Sequence, residues 1–246
     1  MDTLTQLEND LITLRMPYIR QSYQDQAKHA VAKGLGHIDY LQMLISGEAQ
    51  QRAQRATQRR IRGAQFPYIR TLDTYNFSHP TKIDRLKVQN LFRFQFLRNN
   101  ANVVFVGTTG LGKTHLAIAL TYQACIDGHK VLYSSATAMV NDLVSAQAQH
   151  RLPETLKRYT RPNVLLIDEL GYLPIDKLGA DLLFQVISQR YEQHSTILTT
   201  NLIFKNWAQI FAADAILTSA ALDRLLHHHE LIIIEGDSYR MRKPAE

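Results

Sequence analysis

The residues whose types and spacing best suit chemistry lie in the run VVFVGTTGLGKTHLAIAL, from Val103 to Leu120. Within it, Gly107-Thr108-Thr109-Gly110-Leu111-Gly112-Lys113-Thr114 matches the phosphate-loop pattern G-x-x-x-x-G-K-S/T at every fixed position. A polyphosphate is held by backbone N–H groups that all point inward, and bulky side chains would obstruct that approach. Glycines at 107, 110 and 112 permit the conformations such a loop needs. The loop opens directly into an apolar helical stretch that begins around His115. The free N–H groups and dipole of a helix N-terminus favour anions. Lys113 supplies a mobile charge for the β- and γ-phosphates, and the Thr114 hydroxyl is placed to bind Mg2+.

The second motif, an acidic pair at the end of an apolar run, is Val164-Leu-Leu-Ile-Asp168-Glu169. Four apolar residues predict a buried strand, and the carboxylates emerge at its C-terminal end, the edge at which ligands sit in parallel sheets. Asp168 is the candidate Mg2+ anchor; Glu169 is the candidate base that orients and polarises an attacking water. A strand ending in Asp-Glu is common by itself. Fifty-five residues after Lys113, in a strand–helix sequence, it is far more specific. The third candidate is Thr196-Ile-Leu-Thr199-Thr200-Asn201, a strand with a polar end. Asn201 could reach the γ-phosphate or the water, although Thr-Thr-Asn also serves as an ordinary helix cap. The fourth is Arg224 in Ala221-Leu-Asp-Arg-Leu225, weak on its own because surface arginines usually do little. His227-His228-His229 suggests a metal, but adjacent helical residues point apart, so the three read as a helix C-terminus.

The elements that must position these residues alternate. Strands are expected at 103–106, 131–134, 164–168, 195–199 and 231–234. Helices are expected at 115–126, 137–149, from 153 onward, 178–193, 205–211 and 215–226. Five short apolar strands separated by helices predict a parallel sheet covered on both faces. Upstream, Leu4, Leu7, Leu11 and Leu14 make a narrow stripe on a helix over 2–15 that Pro17 ends. A second helix covers Tyr18 to Ala32 and stops at Gly34. His37 to Leu44 reads as a third, and Glu48 to Arg62 as a further, almost wholly polar one. Residues 63–81 are a linker whose aromatics predict packing on the core, and Ile83 to Leu97 resumes a helix. The domain reading is a helical module over 1–65, a linker and packing helix over 66–100, and the main core over 101–246.

A chain of 246 residues with 45% apolar and 20% charged residues suits a soluble globular protein. One cysteine, Cys125, excludes an internal disulfide and a multi-cysteine zinc site. That fits a reducing cytoplasm, and no apolar run reaches membrane-spanning length. A signal peptide and a membrane location are therefore not expected. The net charge of +6 is uneven: residues 1–100 carry +7 and residues 101–246 carry −1. Arg52, Arg55, Arg59, Arg60 and Arg62 follow Glu48 with no further acid among them. Such a run is either a solvated face or a contact for a polyanion, most plausibly nucleic acid.

Taken together, the four motifs resemble the AAA+ ATPases of the replication-initiator and helicase-loader clade. Gly-Lys-Thr-His-Leu-Ala at 112–117, Ile-Asp-Glu-Leu-Gly at 167–171, Leu-Asp-Arg-Leu at 222–225 and Gly-Asp-Ser-Tyr-Arg at 236–240 look like the IstB/DnaC branch. The basic N-terminal part, then Phe66-Pro67 and Leu72-Asp73…Asn76-Phe77, favours the IstB side, the helper ATPases of two-gene insertion sequences. The resemblance implies an α/β P-loop AAA+ core with a five-stranded parallel sheet flanked by helices, plus a small all-α N-terminal module. It implies ATP and Mg2+ as cofactors, with Gly107 to His115 on the nucleotide, and Thr114 and Asp168 on the metal. It makes Lys113, Glu169 and the sensor Asn201 catalytic, together with Arg224 as a finger acting on a neighbouring subunit's nucleotide. It also implies double-stranded DNA, a transposase and copies of the same chain, in a ring or open spiral, as partners. The stretch 136–160 looks like this clade's DNA-contacting insertion, with Arg151, Lys157 and Arg158 as phosphate contacts. Only about twenty residues follow Arg224, so the usual helical lid is absent or vestigial, and Arg240 is left as a possible second sensor. The competing readings are a helicase loader with the same core and a nucleotide-gated DNA scaffold with negligible hydrolysis.

Overall fold

The computed structural model describes residues 3–172 and 174–239, which fall into two compact units divided between Arg59 and Arg60. In the first unit, α1 (Thr3–Thr13), α2 (Pro17–Lys33) and α3 (His37–Gly63, whose last turn enters the second unit) surround a small core of Leu11, Ile19, Tyr23 and Leu44. Pro17 opens α2 rather than closing α1, as suits a residue with a fixed φ and no N–H to satisfy. Of the leucine stripe only Leu11 is buried. Gly34, at φ 63°, closes α2 in the left-handed conformation.

The two helices expected at 37–44 and 48–62 are one helix of 27 residues. Gly47 does not break it. A Cβ there would lie 2.0 Å from the Tyr18 ring, so the glycine lets α2 and α3 touch. One residue on, the buried Glu48 carboxylate accepts from the N–H groups of Tyr18 (2.9 Å) and Ile19 (3.3 Å). That side chain, thirty positions away, satisfies the first turn of α2, whose own N-cap Met16 offers nothing.

The second unit carries a parallel five-stranded sheet in the order β2-β3-β4-β1-β5, with β1 at Asn102–Gly107, β2 at Val131–Ser135, β3 at Val164–Leu170, β4 at Ser195–Thr200 and β5 at His229–Ile234. Side chains alternate along β1. Val104 and Val106 join the core under α7 (Ala136–Ala148), α8 (Leu152–Thr160), α9 (Lys177–Arg190) and α10 (Ala215–Leu226). Val103 and Phe105 join the opposite core, built with α6 (Lys113–Ile126) and the segment before β1. Both faces are thus covered, which is why the strands read as continuous apolar runs.

The helix expected over 83–97 is broken into α4 (Arg85–Leu91) and α5 (Gln95–Arg98). Phe94 sits at φ 56° between them, and the turn buries both Phe94 and Phe96. The 63–81 segment packs Phe66, Tyr75 and Phe77 on the core, while Tyr68 stays exposed. Residues 204–209 form a 3-10 helix rather than the α-helix expected, around a fully buried Trp207 whose Nε1 donates to Leu202 O at 3.2 Å. The histidine run is not a helix end throughout: His227 caps α10, and His229 opens β5. Among the described residues only β5 and the segment to Tyr239 follow α10, and Arg240 lies outside them.

Arg190, in the last turn of α9, is 2% exposed. Its guanidinium donates to the carbonyls of Tyr159, Thr160 and Pro162 (3.0, 3.2 and 3.0 Å), to Ser195 O (2.5 Å) and to Thr196 Oγ1 (3.0 Å). It closes the end of α8 and the start of β4 at once. Burial draws its pKa down to about 9, so it remains charged at neutral pH. Arg190→Met fills the space but strands buried carbonyls, at about 1–3 kcal/mol for each left without a donor. We expect a loss of about 3 kcal/mol or more in urea unfolding, a large share of the ~5–15 kcal/mol typical of a domain. An unchanged midpoint would show that water replaces the guanidinium at little cost.

Candidate functional site

Three adjacent strands, β3, β4 and β1, end on one edge of the sheet, and their C-terminal residues meet the loop between β1 and α6. Gly110 and Gly112 in that loop adopt φ near +83° and +82°. At Gly112 a Cβ would also come within 2.6 Å of the Tyr75 ring, so no other residue fits. Lys113 and Thr114 start α6, and Lys113 Nζ donates to Thr108 O at 2.8 Å, folded over its own loop.

Asp168 is 3% exposed and gathers three hydroxyls. Thr114 Oγ1 donates to its Oδ1 at 2.8 Å, Thr199 Oγ1 to the same oxygen at 2.5 Å, and the Tyr133 hydroxyl to Oδ2 at 3.2 Å. Burial first, then the Asp168 charge, pushes the Tyr133 phenol far up, so it remains a donor. Thr199 Oγ1 also accepts from the Glu169 N–H at 2.9 Å. This fixes a bulge: the β3–β4 register slips between Ile167 and Leu170, and Glu169 takes φ 60°. The strand therefore continues to Leu170 instead of ending at Asp168. The bulge aims neighbouring carboxylates differently, leaving Asp168 buried and Glu169 exposed at the cavity.

The cavity, about 420 Å3, is lined by the loop from Thr109 to His115 and by Glu169, Thr199, Thr200 and Asn201. So Lys113, Thr114, Glu169 and Asn201 face one space, with Asp168 directly behind Thr114. Gly107, the last residue of β1, and Thr108, which follows it, lie just before the lining residues. The His115 side chain turns toward the 71–74 segment, its Nε2 3.0 Å from Thr71 O and 3.1 Å from Thr74 Oγ1. Burial, above all, lowers its pKa.

Several lining groups had no site role assigned from the sequence. The Tyr75 hydroxyl donates to Leu111 O at 3.0 Å, and burial pushes its pKa up to about 12. Tyr239 N donates to Gly110 O at 3.1 Å, and its ring stands edge-on to His79 at 4.7 Å. The phosphate loop is thus held between a segment before the sheet and the segment after β5. The clustered aromatics of the linker hinted at the first; the Gly-Asp-Ser-Tyr-Arg motif marked the second, but its contact with the loop follows only from the strand order.

Arg224 is not among the groups lining this cavity. It lies on α10, its guanidinium 4.9 Å from the centre of the Phe184 ring and donating to Ala220 O at 3.0 Å. Of the basic residues named in 136–160, Arg151 is exposed and bonded to Gln149 Oε1, and Lys157 is exposed. Arg158 is engaged with Asp142 Oδ2 (2.9 Å) and Gln65 Oε1 (2.9 Å). In the first unit, Arg15, Arg20, Arg52, Arg55 and Arg59 line a groove with Glu48 as its one acid.

A glycine loop at a helix start, a buried acid behind its threonine and polar strand ends on the same sheet edge define a P-loop ATP-binding protein with the AAA+ fold. The chain belongs to the family described as IstB-like ATP binding protein, which matches residues 9–246. It is 35% identical to the ATP-binding protein of insertion sequence IS5376 from Geobacillus stearothermophilus, over 94% of this chain and 91% of that one. It is 36% identical to that of IS21 from Pseudomonas aeruginosa, over 97% and 89%. Among solved structures the fold is similar to the DnaC helicase loader (TM-score 0.54, 23% identity, 67% of this chain and 96% of that). It is also similar to DnaI (TM-score 0.58, 17% identity, 67% and 90%). No helix among the described residues is long and apolar enough to cross a membrane.

Proposed function

We propose that this chain is a Mg2+-dependent ATPase that assembles on double-stranded DNA and assists the transposase of an insertion sequence. The observation that carries the catalytic part is the shared cavity of Lys113, Thr114, Glu169 and Asn201 with Asp168 behind it. The Thr114 proton rests on Asp168, which leaves a hydroxyl lone pair directed elsewhere. Hard oxygen donors of this kind suit Mg2+. Thr114 and Asp168 would hold the ion, which when bound supplies positive charge at the β- and γ-phosphates. Lys113 neutralises the same phosphates, and Asn201 orients the γ-phosphate or the water. Glu169 accepts the water proton, its carboxylate held in the cavity by the bulge. The family's insertion-sequence members and the basic residues of 1–100 support the DNA and transposase part. In this reading 1–65 is the partner-binding module, 66–100 the brace on the loop, and 101–246 the motor. Arg224 reaches the nucleotide of the next copy, a heterologous contact that builds rings or spirals.

Glu169→Gln tests the catalytic part. A general base contributes about 10²–10⁴ in rate. Steady-state hydrolysis should fall by that factor while ATP binding, followed by a fluorescent analogue, stays unchanged. Near-normal turnover by the variant would remove Glu169 from the mechanism, whereas negligible turnover by the wild-type protein, with and without DNA, would leave a nucleotide-gated scaffold as the better reading.

A further inference from the structure

The geometry points to a second cation site, for a transition metal such as Zn2+, formed by Glu192, His227 and His228 on the edge of the sheet opposite the phosphate loop. One ligand atom from each of these side chains lies within 4.8 Å of the other two. Glu192 comes just after α9, His227 caps α10 and His228 leads into β5, so three elements converge. That edge holds the starts of β4 and β5, at Ser195 and His229, whereas the phosphate loop follows the end of β1.

The site is positioned rather than accidental in its backbone. Glu192 takes φ 57°, and its carbonyl accepts from Asn100 Nδ2 at 2.9 Å, which fixes the turn. The Tyr191 hydroxyl lies 2.9 Å from His227 Nδ1, and Glu192 Oε1 lies 3.6 Å from the same nitrogen. The rings of His227 and His228 are 4.1 Å apart at 46°, so these neighbours do converge, because the helix ends between Leu226 and His228. His229 does not join them; its Nδ1 is turned onto Leu226 O at 2.7 Å.

Two imidazoles and a carboxylate are the donor set of Zn2+ and its neighbours, not of Mg2+. Bonds of about 2.0–2.2 Å need the ligand atoms closer than they stand, a movement that exposed side chains make by rotamer adjustment. Three protein ligands leave a position open to water or to a group from another molecule.

The test is titration of untagged, nucleotide-free protein with Co2+, read by visible absorption, then displacement by Zn2+, with Zn2+ affinity measured by calorimetry. The proposal expects saturable one-to-one binding. Glu192→Gln and His228→Ala should each weaken Zn2+ at least about tenfold, and His229→Ala should not. Far-UV circular dichroism establishes that each variant is folded, which exposure of the three side chains favours. Absence of saturable binding at 100 µM Zn2+ (an excess of about a hundredfold over a micromolar dissociation constant) overturns it. So does equal weakening by His229→Ala and His228→Ala, or no weakening by either site variant.

Discussion

Mixing an Arg224→Ala variant with a Lys113→Ala variant should restore ATP hydrolysis that neither parent shows. An arginine that stabilises transition-state charge contributes about 10³–10⁵ in rate in related phosphoryl-transfer systems. Arg224 lies on α10 and does not line the cavity of its own chain, so in the proposed assembly its effect falls on another copy. The Arg224→Ala chain keeps an intact phosphate loop, and the Lys113→Ala chain keeps an intact finger. An interface that presents them in the correct order contains one working site. For the same reason the wild-type rate per subunit should climb with protein concentration. The mixture is assayed after sedimentation has shown ATP-dependent assembly and subunit exchange. A mixture that then stays inactive would make Arg224 an ordinary arginine resting on Phe184.

Binding to duplex DNA should collapse with salt. In the proposed reading, a groove bordered by Arg15, Arg20, Arg52, Arg55 and Arg59 would meet phosphates rather than particular base edges. Each phosphate neutralised releases condensed counterions, so the logarithm of affinity falls linearly with the logarithm of salt. For about six contacts the loss between 50 and 200 mM is roughly 10³-fold or more. Fluorescence anisotropy on two duplexes of unrelated sequence measures it. A flat response, or strong preference for one sequence, contradicts electrostatic binding. Charge reversal at Arg55 and Arg59 should lower the slope by about one per contact removed. Arg158 should matter less, since Asp142 and Gln65 already occupy it.

The phosphate loop and the five strands were legible because their signals are local: a fixed spacing and short apolar runs. What escaped depends on contacts between distant segments. Nothing near Gly47 states that Tyr18 needs its missing Cβ. Nothing in 83–97 states that burying both Phe94 and Phe96 requires a turn between them. Thr199 and Tyr133 reach Asp168 only because β4 and β2 flank β3. Nothing around Arg190 states that its partners are the carbonyls of Tyr159, at the end of α8, and Ser195, at the start of β4. His227 and His228 read as divergent until the helix is seen to stop. The motifs state which residue types the site uses; strand order and register state which of them touch.

Glu169 has a left-handed backbone that a non-glycine residue adopts at a cost of order 1–3 kcal/mol. Thr199 and the bulge hold it there. Protein engineers would meet this as a conflict. A stability screen that ignores turnover would favour glycine or asparagine at position 169, since both tolerate that conformation more readily. Each replacement would look like an improvement in thermal tolerance and would delete the carboxylate. Hardening this protein therefore belongs at sites remote from the β3 bulge, because at position 169 robustness and turnover draw on the same backbone angle.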